Sequence, residues 1–209
     1  MELKDVVGGF ISKYIELSED DLQLLMSMFE YREYKKKQIL VAEGEVELYI
    51  NFILEGLVRK FFVRKKEELI TQFARENELV SCYGSFLTGL PSNYSVETLE
   101  PTRLICITKA NLDSLYDASP RIERLGRLIT TEQFLSWEEF DYDRIRLSTS
   151  ERFVNFLRKK SDLMARVPQK YLASYLNMKP ETFSRLKHLM KTVRPVDENF
   201  ETLTERTAS

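Results

Sequence analysis

The stretch Arg166-Val167-Pro168-Gln169-Lys170-Tyr171-Leu172-Ala173-Ser174-Tyr175-Leu176-Asn177-Met178-Lys179-Pro180-Glu181-Thr182-Phe183-Ser184-Arg185-Leu186-Lys187-His188-Leu189-Met190 reads as two short helices joined by a tight turn. At about 100° per residue, Phe183, Leu186 and Met190 of the second helix share one side, while Glu181, Ser184, Arg185 and His188 share the other. A helix with one narrow apolar stripe can dock on a small core and point its polar face into the DNA major groove. There arginine makes paired bonds to guanine, and Arg185 is the candidate for that contact. Pro180 suits the first helical turn, where no amide hydrogen is needed. In the supporting helix, Leu172 and Leu176 form the buried stripe and Ala173 permits close approach. The alternative is an ordinary helical hairpin.

Charge is segregated along the chain. Of its 209 residues, 31 are Lys or Arg and 33 are Asp or Glu, a net −2. Residues 144–194 nevertheless hold thirteen basic side chains against Glu151, Asp162 and Glu181, a local +10. Residues 1–143 carry −9 and the last fifteen carry −3. A basic segment bearing a helical hairpin suits a phosphate backbone, although runs such as Arg158-Lys159-Lys160 also occur as solvated helix surface.

With 43% hydrophobic residues the chain can bury a proper core and has room for two domains. It has neither a leader-like N-terminus nor an apolar run near 18 residues, so a soluble, cytoplasmic, non-membrane protein is expected. Cys82 and Cys106 are too few for a disulfide framework. They read as buried thiols, with a redox switch as the alternative.

The first 30 residues look helical, with Leu17, Leu22, Leu25, Met26 and Phe29 on one face and Ser18 placed to cap. From Tyr31 to Ile107 the segments are short, aromatic and β-branched, broken at Gly44, Gly56 and Pro91-Ser92-Asn93. Residues 49–54, 57–63, 69–73 and 104–107 are the clearest strands, and their spacing predicts a closed antiparallel roll or barrel. Helical patterning returns over 109–116 and runs long from about 120 to 142. Ile122, Ile129, Gln133, Trp137 and Phe140 lie along one stripe of that helix, widened by Leu125, Leu128 and Leu135. One side of so broad a surface can meet the roll, and the other a second copy. The expected homodimer seam is Ile122, Leu125, Ile129, Gln133, Trp137 and Phe140, and a monomer that buries everything on its own roll is the alternative. A two-fold dimer would set two reading helices about 34 Å apart, matching successive major grooves.

This order of parts resembles the Crp/Fnr family of bacterial transcription regulators. The resemblance covers about Leu17 to Met190 and rests on Gly44-Glu45, the run Leu48 to Gly56, Ser95 to Ile107 leading into a short helix, and Glu181-Thr182-Phe183-Ser184-Arg185. It implies an α+β chain: a cyclic-nucleotide-binding-type β-roll (jelly roll) over 1–118, a dimerisation helix over 119–143, and a helix-turn-helix DNA-binding domain with an acidic tail over 144–209. It also implies double-stranded DNA with a palindromic site, and RNA polymerase, as partners. Positions matching Glu181 and Arg185 would face base edges, and those matching Thr182 and Ser184 would lie near the backbone. Together with His188, Lys170, Lys179 and Lys187 these are the candidate DNA contacts.

The departures from the family matter equally. Its phosphate-binding loop carries Gly-Glu and, about ten positions later, Arg-Ser, to neutralise the phosphate and hold the ribose. Here those places read Ser81-Cys82 and Ser92-Asn93, so no cyclic AMP binding of the ordinary kind, and no cofactor, is expected. Cys82, Tyr83, Ser85, Ser92, Asn93 and Tyr94 either line a pocket for another ligand or fill it. Two cysteines cannot hold a four-cysteine cluster. After Met190 no hairpin signal for a wing is present, and Asp197, Glu198, Glu201 and Glu205 follow. Lys179 occupies the capping place before the reading helix, at a cost of roughly 1 kcal/mol.

An enzyme is disfavoured. The single histidine, His188, excludes a His-based triad, a metal cluster is not expected, and no Walker loop or GxGxxG fingerprint exists. Acidic pairs such as Glu76 and Glu78 read as solvated. The rival reading is a sensory module for a small molecule or protein partner, with weak or no DNA binding of its own.

Overall fold

The computed structural model describes residues 3–191. The described residues form two compact units, divided after Gln133, and the boundary falls within one long helix. The expected hairpin-free segment and acidic tail after Met190 lie outside the described residues from Thr192 onward.

The first unit opens with α1 (Leu3–Ile11) and α2 (Glu19–Ser27). The helical opening is thus two helices, and Ser18 caps the second: its Oγ accepts the Asp21 amide at 3.1 Å. Eight strands follow: β1 (Glu30–Tyr34), β2 (Ile39–Val41), β3 (Tyr49–Glu55), β4 (Val58–Arg64), β5 (Glu67–Ala74), β6 (Leu79–Val80), β7 (Ser95–Thr98) and β8 (Thr102–Thr108). A short helix, α3 (Tyr83–Thr88), sits between β6 and β7, and α4 (Lys109–Ala118) and α5 (Pro120–Arg146) come after β8. The strands form two antiparallel sheets, ordered β1-β8-β3-β6 and β2-β7-β4-β5.

β8 explains how the layers are joined. Leu104 and Cys106 alternate with Ile105 and Ile107, and all four are buried. Leu104 and Cys106 meet Ile53, Val58, Ala74, Val80 and Val96 between the sheets. Ile105 and Ile107, with Phe52 of β3, meet Val7, Ile11, Leu25, Leu115, Ile122 and Leu125 from the helices. A strand covered on both faces loses the polar alternation of a half-exposed one, hence the unbroken run Leu104-Ile105-Cys106-Ile107.

Polar side chains fasten the second sheet. Arg59 of β4, only 3% exposed, forks onto Glu68 of β5 at 2.7 and 2.9 Å and reaches Glu97 of β7 at 2.6 Å. One guanidinium therefore ties three strands with charge-assisted bonds. Glu76 and Glu78, the acidic pair, do backbone work: Glu76 accepts the Gly56 amide at 2.9 Å and Glu78 the Arg75 amide at 3.1 Å.

Two glycines permit close approaches. Gly126 of α5 lies under the Tyr116 ring of α4, whose hydroxyl would stand 2.0 Å from an added Cβ. Gly56, between β3 and β4, has φ +106°, and a Cβ there would meet the Pro101 carbonyl at 2.5 Å and the Thr102 Cα at 2.8 Å. Gly44 also has positive φ but faces open space. Gly56→Ala should cost well over 2 kcal/mol in urea unfolding, because backbone must move as well as φ, whereas Gly44→Ala should cost about 1 kcal/mol. Equal losses would contradict this packing.

Candidate nucleic-acid interface

The second unit is built from α6 (Thr149–Lys160), α7 (Leu163–Arg166), α8 (Gln169–Tyr175), α9 (Pro180–Leu186) and a closing 3-10 turn (Lys187–Lys191), following the C-terminal part of α5. A capping box starts α6. Ser148 Oγ accepts the Glu151 amide at 3.4 Å, and Glu151 accepts the Ser148 amide at 2.8 Å. The same helix ends in Arg158, Lys159 and Lys160, where positive charge complements its dipole. Its apolar face supplies Phe153, Phe156 and Leu157 to a core completed by Leu163, Val167, Leu172, Ala173, Leu176, Phe183 and Leu186. At its centre Phe153 meets Phe183 edge to face, 5.3 Å between ring centres.

The turn between α8 and α9 follows a definite pattern. Asn177 takes φ +51°, the left-handed conformation that asparagine tolerates better than most residues. Its amide bonds the Ser174 carbonyl at 3.0 Å, and the next amide, of Met178, reaches back to the Ala173 carbonyl at 2.9 Å. These two bonds form a Schellman motif. Pro180 then opens α9 with no side-chain cap from Lys179, as the sequence led us to expect.

Phe183 and Leu186 anchor α9, so its opposite side is presented outward. Glu181, Ser184 and Arg185 are exposed, as are His188, Lys170 and Lys179, while Thr182 and Lys187 are half-buried. His188 Nδ1 lies 2.7 Å from the Arg185 carbonyl, an arrangement in which that nitrogen carries the hydrogen and Nε2 remains available. The Lys170 ammonium lies 4.7 Å from the centre of the Tyr171 ring. One expectation needs correction. The helix does not run to Met190 with constant pitch: after Leu186 it tightens to 3-10 winding, and Met190 leaves the apolar stripe and is 44% exposed.

The residues of the expected dimer seam lie in different surroundings. Ile122 and Leu125 are buried in the helix-side core of the first unit, and Ile129 packs partly against it. Phe140 stacks on Tyr175 at 5.0 Å. Gln133 is half-buried and Trp137 is 42% exposed. The apolar side chains of α5 that do face solvent include Phe134 at 60% and Ile145 at 85%. They lie within about 20° of each other around the helix axis.

Within the roll, Cys82, Ser85 and Ser92 are buried, Tyr83 and Tyr94 are half-buried, and Asn93 is exposed. Ser85 Oγ donates to the Leu90 carbonyl at 2.5 Å and accepts the Glu47 amide at 2.9 Å. Ser92 Oγ bonds the amide and carbonyl of Tyr94 at 3.0 and 2.9 Å. Two charged residues that the sequence reading did not single out enter here. Lys60, 9% exposed, donates to the Ser81 carbonyl at 3.1 Å and lies 5.3 Å from the Tyr94 ring centre and 6.0 Å from that of Tyr83. Glu47, 5% exposed, accepts the amides of Tyr49 and Cys82 at 3.1 and 3.2 Å. Burial lowers the Lys60 ammonium pKa and raises that of the Glu47 carboxyl, while each charge moderates the other's shift. The loop lacks a cation of its own, but the roll brings one in from β4. The only hint in the sequence was a lysine set among Val58, Phe61 and Phe62. Burial pushes the Cys106 thiol up to about 11 and the Cys82 thiol upward as well, which disfavours reactive thiolates.

Residues 31–119 match the family model of the cyclic nucleotide-binding domain. No curated protein matches the chain. Among solved structures, FixK2 from Bradyrhizobium japonicum is 18% identical with a TM-score of 0.65, over 78% of this chain and 85% of that one. The catabolite activator protein of Thermus thermophilus is 19% identical with a TM-score of 0.55, over 86% of each chain. The c-di-GMP responsive global regulator CLP of Xanthomonas campestris is 17% identical with a TM-score of 0.64, over 84% of this chain and 92% of that one. No helix among the described residues is long and apolar enough to cross a membrane. Residues 31–119 therefore match the cyclic nucleotide-binding domain, and the chain shares the fold of these solved structures.

Proposed function

We propose that this protein is a homodimeric, sequence-specific DNA-binding transcription regulator of the Crp/Fnr type, acting in the cytoplasm on double-stranded DNA and, through it, on RNA polymerase. The observation that carries the reading is the outward face of α9. Glu181, Ser184 and Arg185 project from a helix anchored by Phe183 and Leu186, in a segment with ten excess positive charges. Arg185 and Glu181 read base edges, Arg185 by a forked bond to guanine. Thr182, Ser184 and His188, with Lys170, Lys179 and Lys187, hold the phosphate backbone. The likeness to CLP, described as a global regulator, supports the same role.

Dimerisation uses the exposed apolar side chains of α5. With Ile122 and Leu125 committed to the first unit's core, the seam shifts toward Phe134, Trp137 and Ile145. Cyclic AMP is not the effector. The buried Glu47 carboxylate sets a negative charge beside Lys60, and the hydroxyls of Ser85 and Ser92 are already engaged within the chain.

Selection of bound fragments from a random DNA pool, followed by salt titration, tests the assignment. Arg185→Ala should lose about 1–3 kcal/mol of discrimination between the selected site and its single-base variants. Lys170→Ala should weaken every fragment alike and reduce the salt slope by about 1. The same behaviour from both variants and the parent would defeat the assignment of roles, and no affinity at minimal ionic strength would leave the sensory reading. Phe134→Asp with Ile145→Asp should give monomers in sedimentation and reduce affinity for a palindrome to that for one half-site. A stable double-mutant dimer would place the seam elsewhere. Millimolar cyclic AMP should leave the melting temperature unchanged, whereas a rise of several degrees would show a bound ligand and contradict this reading.

A further inference from the structure

The Schellman bonds of the α8–α9 turn use the carbonyls of Ala173 and Ser174. They leave the carbonyls of Leu176, at the end of α8, and Asn177, in the turn itself, for other donors. Arg152 of α6, only partly buried, supplies them. Its Nε donates to the Leu176 carbonyl at 3.1 Å and one terminal nitrogen to the Asn177 carbonyl at 3.4 Å. The other terminal nitrogen donates to the Leu147 carbonyl at 2.7 Å, while the nitrogen that reaches Asn177 also makes a longer contact of 3.5 Å to Thr149 Oγ1. A single planar guanidinium thus ties the start of α6 to two successive carbonyls of the turn.

We infer that Arg152 is a positioning residue for the reading helix: its guanidinium fixes the α8–α9 turn, and through it the direction in which α9 presents Arg185 and Glu181 to bases. This rests on the DNA-reading assignment above and adds to it a residue that touches no base. Three features make the turn a sensitive place. Asn177 sits at a positive φ, which asparagine tolerates but which remains less favourable than the right-handed region. Lys179 provides no cap, so α9 has no side-chain anchor at its start. The helix is seven residues long, and its entry angle is set by the turn and by Phe183 and Leu186. The charge of Arg152 faces carbonyl oxygens of the chain, and the planar fork, which lysine lacks, is what spans them.

The test uses the full chain with Arg152→Ala and Arg152→Lys, the second keeping the positive charge should the first fail to fold. Hydrogen exchange without DNA is followed at the amides of Asn177, Met178 and Phe183, which bond the Ser174, Ala173 and Lys179 carbonyls, with those of Phe156 and Leu172 as internal references. Affinities are then measured for the selected palindromic fragment and a scrambled fragment at one ionic strength. In Arg152→Lys the turn amides should exchange faster while the references hold. Preference for the selected fragment should fall about ten-fold, the size of one lost charge-assisted hydrogen bond, with affinity for the scrambled fragment unchanged. Parental exchange and preference in Arg152→Lys would overturn the inference. Equal loss on both fragments would also overturn it, since that is the behaviour of a phosphate contact or of a loosened fold. Faster exchange with undiminished preference would overturn the link from turn to reading. A parent that binds neither fragment would instead remove the DNA-reading assignment and, with it, the purpose given to Arg152.

Discussion

The burial of β8 on both faces is the constraint on which the first unit depends. Leu104 and Cys106 close the space between the sheets, and Ile105 and Ile107 receive the flanking helices. A one-residue slip in its register would exchange the two sets and misfit both cores. Its pairing with β1 and β3 holds that register, and the absence of a Cβ at Gly56 lets the β3–β4 connection pass against Pro101 and Thr102 at the start of β8. Ile122 and Leu125 of α5 are drawn into the same helix-side core.

The second unit rests on a comparable economy. Phe183 places α9 on Phe153, Leu186 is buried beside it, and the exposed side of the helix is polar. A seven-residue helix has little stability of its own, since nucleation is costly and packing must supply the rest. Its geometry therefore belongs to its surroundings: the Schellman turn at one end, the 3-10 winding at the other, and the two side chains beneath. Small groups at either end of so short a helix can therefore set how its outward face is presented.

The interior of the roll carries charge that its loop sequence does not announce. Charge has not vanished from the region where the loop departs from the cyclic-nucleotide pattern. Lys60 and Glu47 supply one charge of each sign from β4 and from the segment before β3, both costly to bury and each moderated by the other. The loop hydroxyls close on nearby backbone groups. The charge around this loop is thus set by residues outside it, Lys60 from β4 and Glu47 from the segment before β3.

Much of this was legible beforehand, for particular reasons. Buried central strands such as β3, β4 and β8 carry dense apolar residues, the Ser18 cap has a local signature, and the apolar stripe of α9 shows at Phe183 and Leu186 because helical periodicity is a property of neighbours in sequence. β1 was harder: Glu30-Tyr31-Arg32-Glu33-Tyr34 is a charged edge strand that β8 recruits, and its alternation is too polar to stand out. α3 was hidden in a segment with turn residues. Local pattern determined the elements, the charge segregation and the outward polar face of α9. Tertiary packing decided which side of α5 is spent on a core, that Lys60 and Glu47 meet at Cys82, and that Arg152 reaches a turn more than twenty residues away. Those outcomes depend on distances between segments remote in the chain, and periodicity within a segment carries no information about what will lie across from it.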